Sequence, residues 1–179
     1  MTDLIVYYSL EGNTAFVAER LKEKLDAHSR RLVPIKPYSD KGLSKFIWGG
    51  RSAIMGDKPD LEDYNVDFSR FDRIIFGFPV WASNFTPPLR TFIEENREGL
   101  KGKRFAAFAC QSGNGAEKAL AKLEKCINET AFEQTAIFID PKAKHTDDID
   151  RQIDEFADAL LSKTKMGEFF SEPVGYPLS

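Results

Sequence analysis

Short apolar runs alternate with amphipathic segments along the chain. Leu4-Ile5-Val6-Tyr7-Tyr8 is apolar without alternation, which predicts a buried strand ended by Gly12-Asn13. From Thr14 onward, Val17, Leu21 and Leu25 recur every four residues, while Glu19, Arg20, Lys22 and Glu23 fill the other face. That spacing predicts a surface helix with one apolar stripe. Arg31-Leu32-Val33-Pro34-Ile35 reads as a second strand, and Pro34, which has no backbone donor, assigns it to a sheet edge. Arg73-Ile74-Ile75-Phe76-Gly77-Phe78 predicts a third strand covered on both faces. Thr86 then stands as the cap of a helix with Pro87 in its first turn and a stripe of Leu89, Phe92 and Ile93. Phe105 to Cys110 is a fourth strand, followed by a helix marked by Ala116, Leu120, Leu123 and Ile127. Thr135-Ala136-Ile137-Phe138-Ile139 is a fifth. Asp147 and Asp148 suit a helix N-terminus, and Ile149, Ile153, Phe156 and Leu160 make the last stripe.

Strands alternating with helices predict an α/β protein with a parallel sheet between two helical layers. Right-handed crossovers and an edge position for the second strand lead to the order 2-1-3-4-5. That order has a switch point beside strand one, where ligands bind outside the carboxyl ends of the strands. Two stretches break the pattern. Residues 40–63 hold Phe46, Ile47, Trp48, Ile54 and Met55 between glycines and read as an inserted or substituted helix. Its expected role is to close a sheet face, cover a ligand or meet a partner. After Lys163 the periodicity stops, so residues 1–163 are expected to form the domain and 164–179 a tail, disordered or folded back on its aromatics.

Composition narrows the function. The chain has 179 residues, 25 basic and 28 acidic, with net charge −3 and the two signs mixed throughout. It lacks the basic footprint of a nucleic-acid binder. No apolar run nears the ~20 residues of a membrane span. The N-terminus lacks the pattern of a signal peptide, which leads to an expectation of the cytoplasm. Cys110 and Cys126 show neither metal nor disulfide spacing and read as reduced thiols. Asn128-Glu129-Thr130 is a glycosylation sequon expected to be silent without secretion. His28 and His145 have no ligand spacing around them, so no metal site is expected, and no nucleophile triad is evident.

The loop Ser9-Leu10-Glu11-Gly12-Asn13-Thr14 lies between the first strand and helix. A helix N-terminus presents unpaired N–H groups and a positive dipole end, which suits a phosphate. Ser9, Asn13 and Thr14 add side-chain donors, and Gly12 permits close backbone approach. Taken alone, the loop fits an ordinary helix cap equally well. Tyr8-Ser9-Leu10-Glu11-Gly12-Asn13-Thr14 resembles the phosphate loop of the flavodoxin family, however. Phe78-Pro79-Val80-Trp81-Ala82-Ser83-Asn84-Phe85 resembles that family's isoalloxazine loop, and Cys110-Gln111-Ser112-Gly113-Asn114-Gly115 its third flavin loop. The three follow the first, third and fourth strands in the right order.

The resemblance implies a flavodoxin-like fold, FMN as cofactor, and named contacts. Ser9, Glu11, Gly12, Asn13 and Thr14 would surround the phosphate. Pro79, Val80, Trp81, Ala82, Ser83, Asn84 and Phe85 would border the ring, with Trp81 stacked on it. Gln111, Ser112, Gly113, Asn114 and Gly115 would meet its pyrimidine end or far face. Three positions depart from the family pattern. A Glu11 carboxylate ~4 Å from a phosphate would cost a few kcal/mol, so Glu11 is expected to face solvent or a base. The third loop lacks the tyrosine that covers the second flavin face, leaving it open or covered by Trp48. Trp81-Ala82-Ser83-Asn84 lacks glycine, and Asn84 is the residue expected to tolerate left-handed geometry.

The function expected from the resemblance is electron transfer, to a redox partner protein or a small electron acceptor. The modest net charge predicts weak electrostatic docking. A small FMN-dependent NAD(P)H or quinone reductase is the alternative, and a flavin-free ligand-binding or interaction module on the same fold is a third reading. No signature of oligomeric state is present.

Overall fold

A computed structural model describes residues 2–38, 51–127 and 131–171, with side chains described as far as 164. The strands are β1 (Asp3–Tyr7), β2 (His28–Arg31), β3 (Arg73–Pro79), β4 (Arg104–Gln111) and β5 (Thr135–Ile139). The helices are α1 (Asn13–Leu25), α2 (Pro87–Glu95), α3 (Arg97–Leu100), α4 (Ala116–Ile127) and α5 (Asp147–Ser171), with a 3-10 turn at Phe68–Arg70 and helical backbone at 51–55. All neighbouring strands are parallel, in the order β2-β1-β3-β4-β5.

The continuous apolar runs follow from burial on two faces. Leu4, Val6, Ile74, Phe76, Phe78 and Phe105 pack on one side against Leu89, Phe92 and Ile93 of α2 and Leu120, Leu123 and Ile127 of α4. Ile5, Tyr7, Ile75, Phe108 and Phe138 pack on the other against Val17 and Leu21 of α1 and Ile149, Ile153, Phe156 and Leu160 of α5. Successive strand residues thus serve opposite layers. Each fully buried Phe, Ile or Leu contributes roughly 1.5–3 kcal/mol. The result is a three-layer α/β/α sandwich, as the sequence pattern predicts.

Three local expectations are corrected. The second strand lies at His28–Arg31 rather than Arg31–Ile35, although it does take the sheet edge. Leu32 N–H still bonds to the Tyr7 carbonyl at 2.8 Å, but the chain then leaves β1. Pro34 cannot extend the ladder and instead forms a bridge with Leu61, flanked by Ile35 N–H to Asp60 O and Glu62 N–H to Val33 O. An edge strand tolerates the polar His-Ser-Arg-Arg run, so apolarity points to the wrong residues. Thr86 occupies the cap position of α2, but its side chain caps nothing. Pro87 and Pro88 remove the first two donors, and Leu89 N–H reaches the Thr86 carbonyl at 3.1 Å. Finally, α5 continues past 163 to Ser171. Ile54 and Met55 of the expected insert are exposed, whereas Phe46, Ile47, Trp48, the sequon 128–130 and residues 172–179 lie outside the described residues.

Candidate functional site

The carboxyl ends of β1, β3, β4 and β5 open into one cavity of about 630 Å³. This size is typical of a small-molecule or cofactor pocket. It lies at the switch point, where β1 is flanked by β2 and β3 and the chain reverses its direction of winding.

One end is built by the turn into α1. Gly12 takes φ +94° and sets the N-terminus of α1 facing the cavity. The Ala15 N–H bonds to Ser9 Oγ at 3.2 Å, and the Phe16 N–H to the Gly12 carbonyl at 2.9 Å. No acceptor among the described residues takes the N–H groups of Asn13 and Thr14. Thr14 is 1% exposed and lines the cavity; its hydroxyl has no partner at hydrogen-bond geometry, though it lies near enough to the Cys110 thiol to lower that thiol's pKa against the larger effect of burial. A buried orphan hydroxyl beside two free amides is the signature of a missing acceptor. Glu11 is exposed, as its charge requires.

Pro79, Val80, Trp81 and Ala82 form a side wall. The Trp81 indole is braced by edge contacts with Tyr8 (5.6 Å, 82°) and Tyr38 (5.0 Å, 71°). Trp81 and Asn84 exchange both backbone hydrogen bonds at 3.0 Å, closing a tight turn with Ala82 at φ +50° and Ser83 at φ +56°. The left-handed residues are therefore Ala82 and Ser83, not Asn84. Asn84 is buried and anchors the turn by donating Nδ2–H to the Ala53 carbonyl at 3.0 Å.

The opposite wall is Gln111, Ser112, Gly113 and Asn114. Gln111 Oε1 accepts the Ala116 N–H at 3.0 Å and so caps α4. Ser112 donates its hydroxyl to Asp140. What this loop leaves for a ligand is therefore chiefly its backbone donors. Cys110, at the base, is fully buried, and burial pushes its thiol up to about 12, so it is inert at neutral pH.

Ser9, Glu11, Asn13, Thr14, Pro79, Val80, Trp81, Ala82, Gln111, Ser112, Gly113 and Asn114 thus come together around one cavity. Gly12, Ser83, Asn84, Phe85 and Gly115 stand behind its wall. Phe85 turns into the core against Phe78, with Arg90 over its outer face at 4.6 Å. Gly115 has φ +100°, and a Cβ there would meet Ser83 Oγ at 2.4 Å, so the second and third loops lock together through a glycine. Sequence reasoning missed Leu10, Cys110, Asp140, Lys142 and Ala143, which also line the cavity. The last three follow β5. A fifth parallel strand necessarily delivers its following loop to the same edge, and that was the available signal.

The flavodoxin family model matches residues 2–155. The chain belongs to the flavodoxin family. Solved structures agree on the fold. A flavoprotein from Lactobacillus acidophilus NCFM in complex with FMN shares 19% identity and a TM-score of 0.69, covering 87% of this chain and 98% of that one. Two-electron reduced flavodoxin of Megasphaera elsdenii gives 17% and 0.52, covering 88% and 99%. An azoreductase from Bacillus anthracis str. Sterne gives 16% and 0.50, covering 88% and 98%. No curated protein matches the sequence significantly. The flavodoxin cofactor is FMN, and the cavity holds groups that suit its two ends: unanswered donors at the start of α1 for a phosphate and an aromatic wall at Trp81 for a ring. No helix among the described residues is long and apolar enough to cross a membrane, and no group of ligating side chains among them could hold a metal ion.

Proposed function

We propose that this flavodoxin is an electron carrier whose FMN lies in the cavity at the ends of β1, β3 and β4. One observation carries the reading: the orphan donors of Thr14 and the first turn of α1 share a single cavity with the Trp81 wall. Bound FMN supplies one- or two-electron chemistry, and the protein supplies position and electrostatics. The Ser9 and Thr14 hydroxyls and the N–H groups of Asn13 and Thr14 donate to the phosphate. Trp81, Val80 and Pro79 exclude water from one side of the ring. The backbone of 112–115 donates to the ring carbonyls. Electrons leave to a redox partner protein or a small acceptor at the open mouth.

A second reading, a small NAD(P)H or quinone reductase, is favoured by the wall facing Trp81. Ser112, Gly113 and Asn114 are exposed, and no aromatic side chain among the described residues covers that side. A substrate would then have access to the ring. An absorption spectrum of the purified protein followed by anaerobic reduction decides. The carrier shows two separate one-electron steps and negligible NAD(P)H oxidation. The reductase shows direct two-electron reduction and turnover with a quinone. A protein that takes up no FMN at micromolar concentration overturns both and leaves the flavin-free module.

A further inference from the structure

We propose that Lys142 is the phosphate-neutralising cation of this site and makes it select FMN over riboflavin. The inference rests on the FMN reading above and extends it to a residue outside the three flavin loops. Lys142 lines the same cavity as Ser9, Asn13 and Thr14. Its side chain lies along the open side of Gly12: a Cβ at that glycine would meet Lys142 Nζ at 3.0 Å and Cδ at 3.3 Å. The ammonium therefore sits against the turn whose amides and hydroxyl lack acceptors. Among the described residues it makes no ion pair, whereas its neighbour Lys144 is paired with Asp140 at 2.7 Å.

The turn that carries Lys142 is fixed to the phosphate loop. Asn13 Oδ1 accepts the N–H groups of Lys142 (2.9 Å) and Ala143 (3.4 Å). Asp140, at φ +44°, is buried and holds the start of the turn. Its N–H bonds to the Gln111 carbonyl at 3.0 Å, and its carboxylate accepts from Ser112 and Lys144. The Asn13 side chain thus links the two loops through its oxygen, which leaves Nδ2–H as its only side-chain donor toward a phosphate. A cation placed over a helix N-terminus adds to the dipole and the amides and raises the affinity of that end for a dianion. A neutral ligand end gains nothing from it.

Apo protein is titrated with FMN and with riboflavin, following flavin fluorescence, in wild type, Lys142→Met and Lys142→Arg. Lys142 is exposed, and Met keeps a stem of similar length along Gly12, so folding is preserved. The expected result is an FMN affinity reduced about tenfold in Lys142→Met at low salt, near-normal in Lys142→Arg, and an unchanged riboflavin affinity. The loss shrinks as salt screens the charge. Unchanged FMN affinity in Lys142→Met overturns the proposal, as does an equal loss for both flavins, which marks a structural role. Wild type that binds neither flavin overturns the FMN reading itself, and so separates the two failures.

Discussion

The two ends of the sheet treat buried polar groups in opposite ways. At the amino ends of the strands, Arg73 is fully buried and fully answered. Its guanidinium bonds to both Asp3 oxygens (3.1 and 2.5 Å), to the Leu160 carbonyl (2.9 Å) and to Glu133 (3.5 Å). At the carboxyl ends, the buried Thr14 hydroxyl has no partner, and Gly12, Ala82, Ser83 and Asp140 all take positive φ. Left-handed residues also occur at the amino edge, Asp26 at φ +49° and Gly102 at φ +69°, so the contrast lies in the polar groups: one end is saturated, while the other keeps unanswered donors. The difference separates residues that hold the fold from residues shaped for a ligand.

The largest test of that contrast is Arg73→Met. It leaves Asp3 as an uncompensated buried charge, with an expected loss of about 3–5 kcal/mol in urea unfolding of the apo protein. Pairing it with Asp3→Leu should restore most of the loss, because both desolvated charges then disappear. Flavin affinity per folded molecule should not change. A loss under about 1 kcal/mol for the single variant would mean that this end is not saturated in the way described.

Gly12→Ala attacks the other end. Forcing a Cβ to φ +94° costs about 1–2 kcal/mol. The new methyl also meets Lys142. Calorimetric titration should show FMN binding weakened about tenfold, a larger effect on binding than Arg73→Met produces. Equal FMN affinities in Gly12→Ala and wild type would erase the contrast between the two ends.

Asp140→Asn is gentler. Asparagine tolerates positive φ, so the change removes charge while keeping the turn. The Lys144 and Ser112 contacts hold the Asp140 carboxyl below its ordinary value of 3.8. A depressed carboxyl stabilises the fold at neutral pH, and that contribution fades as pH falls below 3.8 through the native value. Lys144 is largely exposed, so screening limits the loss at neutral pH to about 1 kcal/mol. Urea midpoints at pH 7 and pH 3 should converge between variant and wild type in acid. A difference that persists at pH 3 would place the effect in packing instead of charge.

The same physics explains what the sequence made legible. Leu89, Phe92 and Ile93 announce a buried helix face because hydrophobic spacing is a local signal. Short motifs at strand ends point to the three loops that line the cavity. Lys142 carries no such motif, since only the fold brings it, after β5, beside Gly12 and Asn13 from about 130 residues away. Asn13 was recognised as a site residue, but its oxygen is committed to that distant turn. The polar strand His28–Arg31 carries no apolar signal because an edge position relaxes the demand for apolar residues. Long-range partners and edge strands are the features that local patterning leaves unspecified.

The smallest effect comes from the strained turn at the Trp81 wall. Ala82 is exposed at φ +50°, so it sustains left-handed strain without burying its methyl. Ala82→Gly removes a conformational cost of about 1–2 kcal/mol while enlarging the freedom of the unfolded chain. The net expectation is a gain of about 0.5–1 kcal/mol in urea unfolding. Ser83→Gly is a poorer probe, because Ser83 also packs on Gly115 and its carbonyl accepts from Lys122 at 3.0 Å. No residue of β1 or β3 beside Arg73 has positive φ, although Asp26 at the same edge, before β2, takes φ +49°. If Ala82→Gly instead destabilises the apo protein, the turn is relaxed as it stands. The Trp81 wall would then be unstrained, and the contrast between the ends would rest on the unpartnered Thr14 hydroxyl alone.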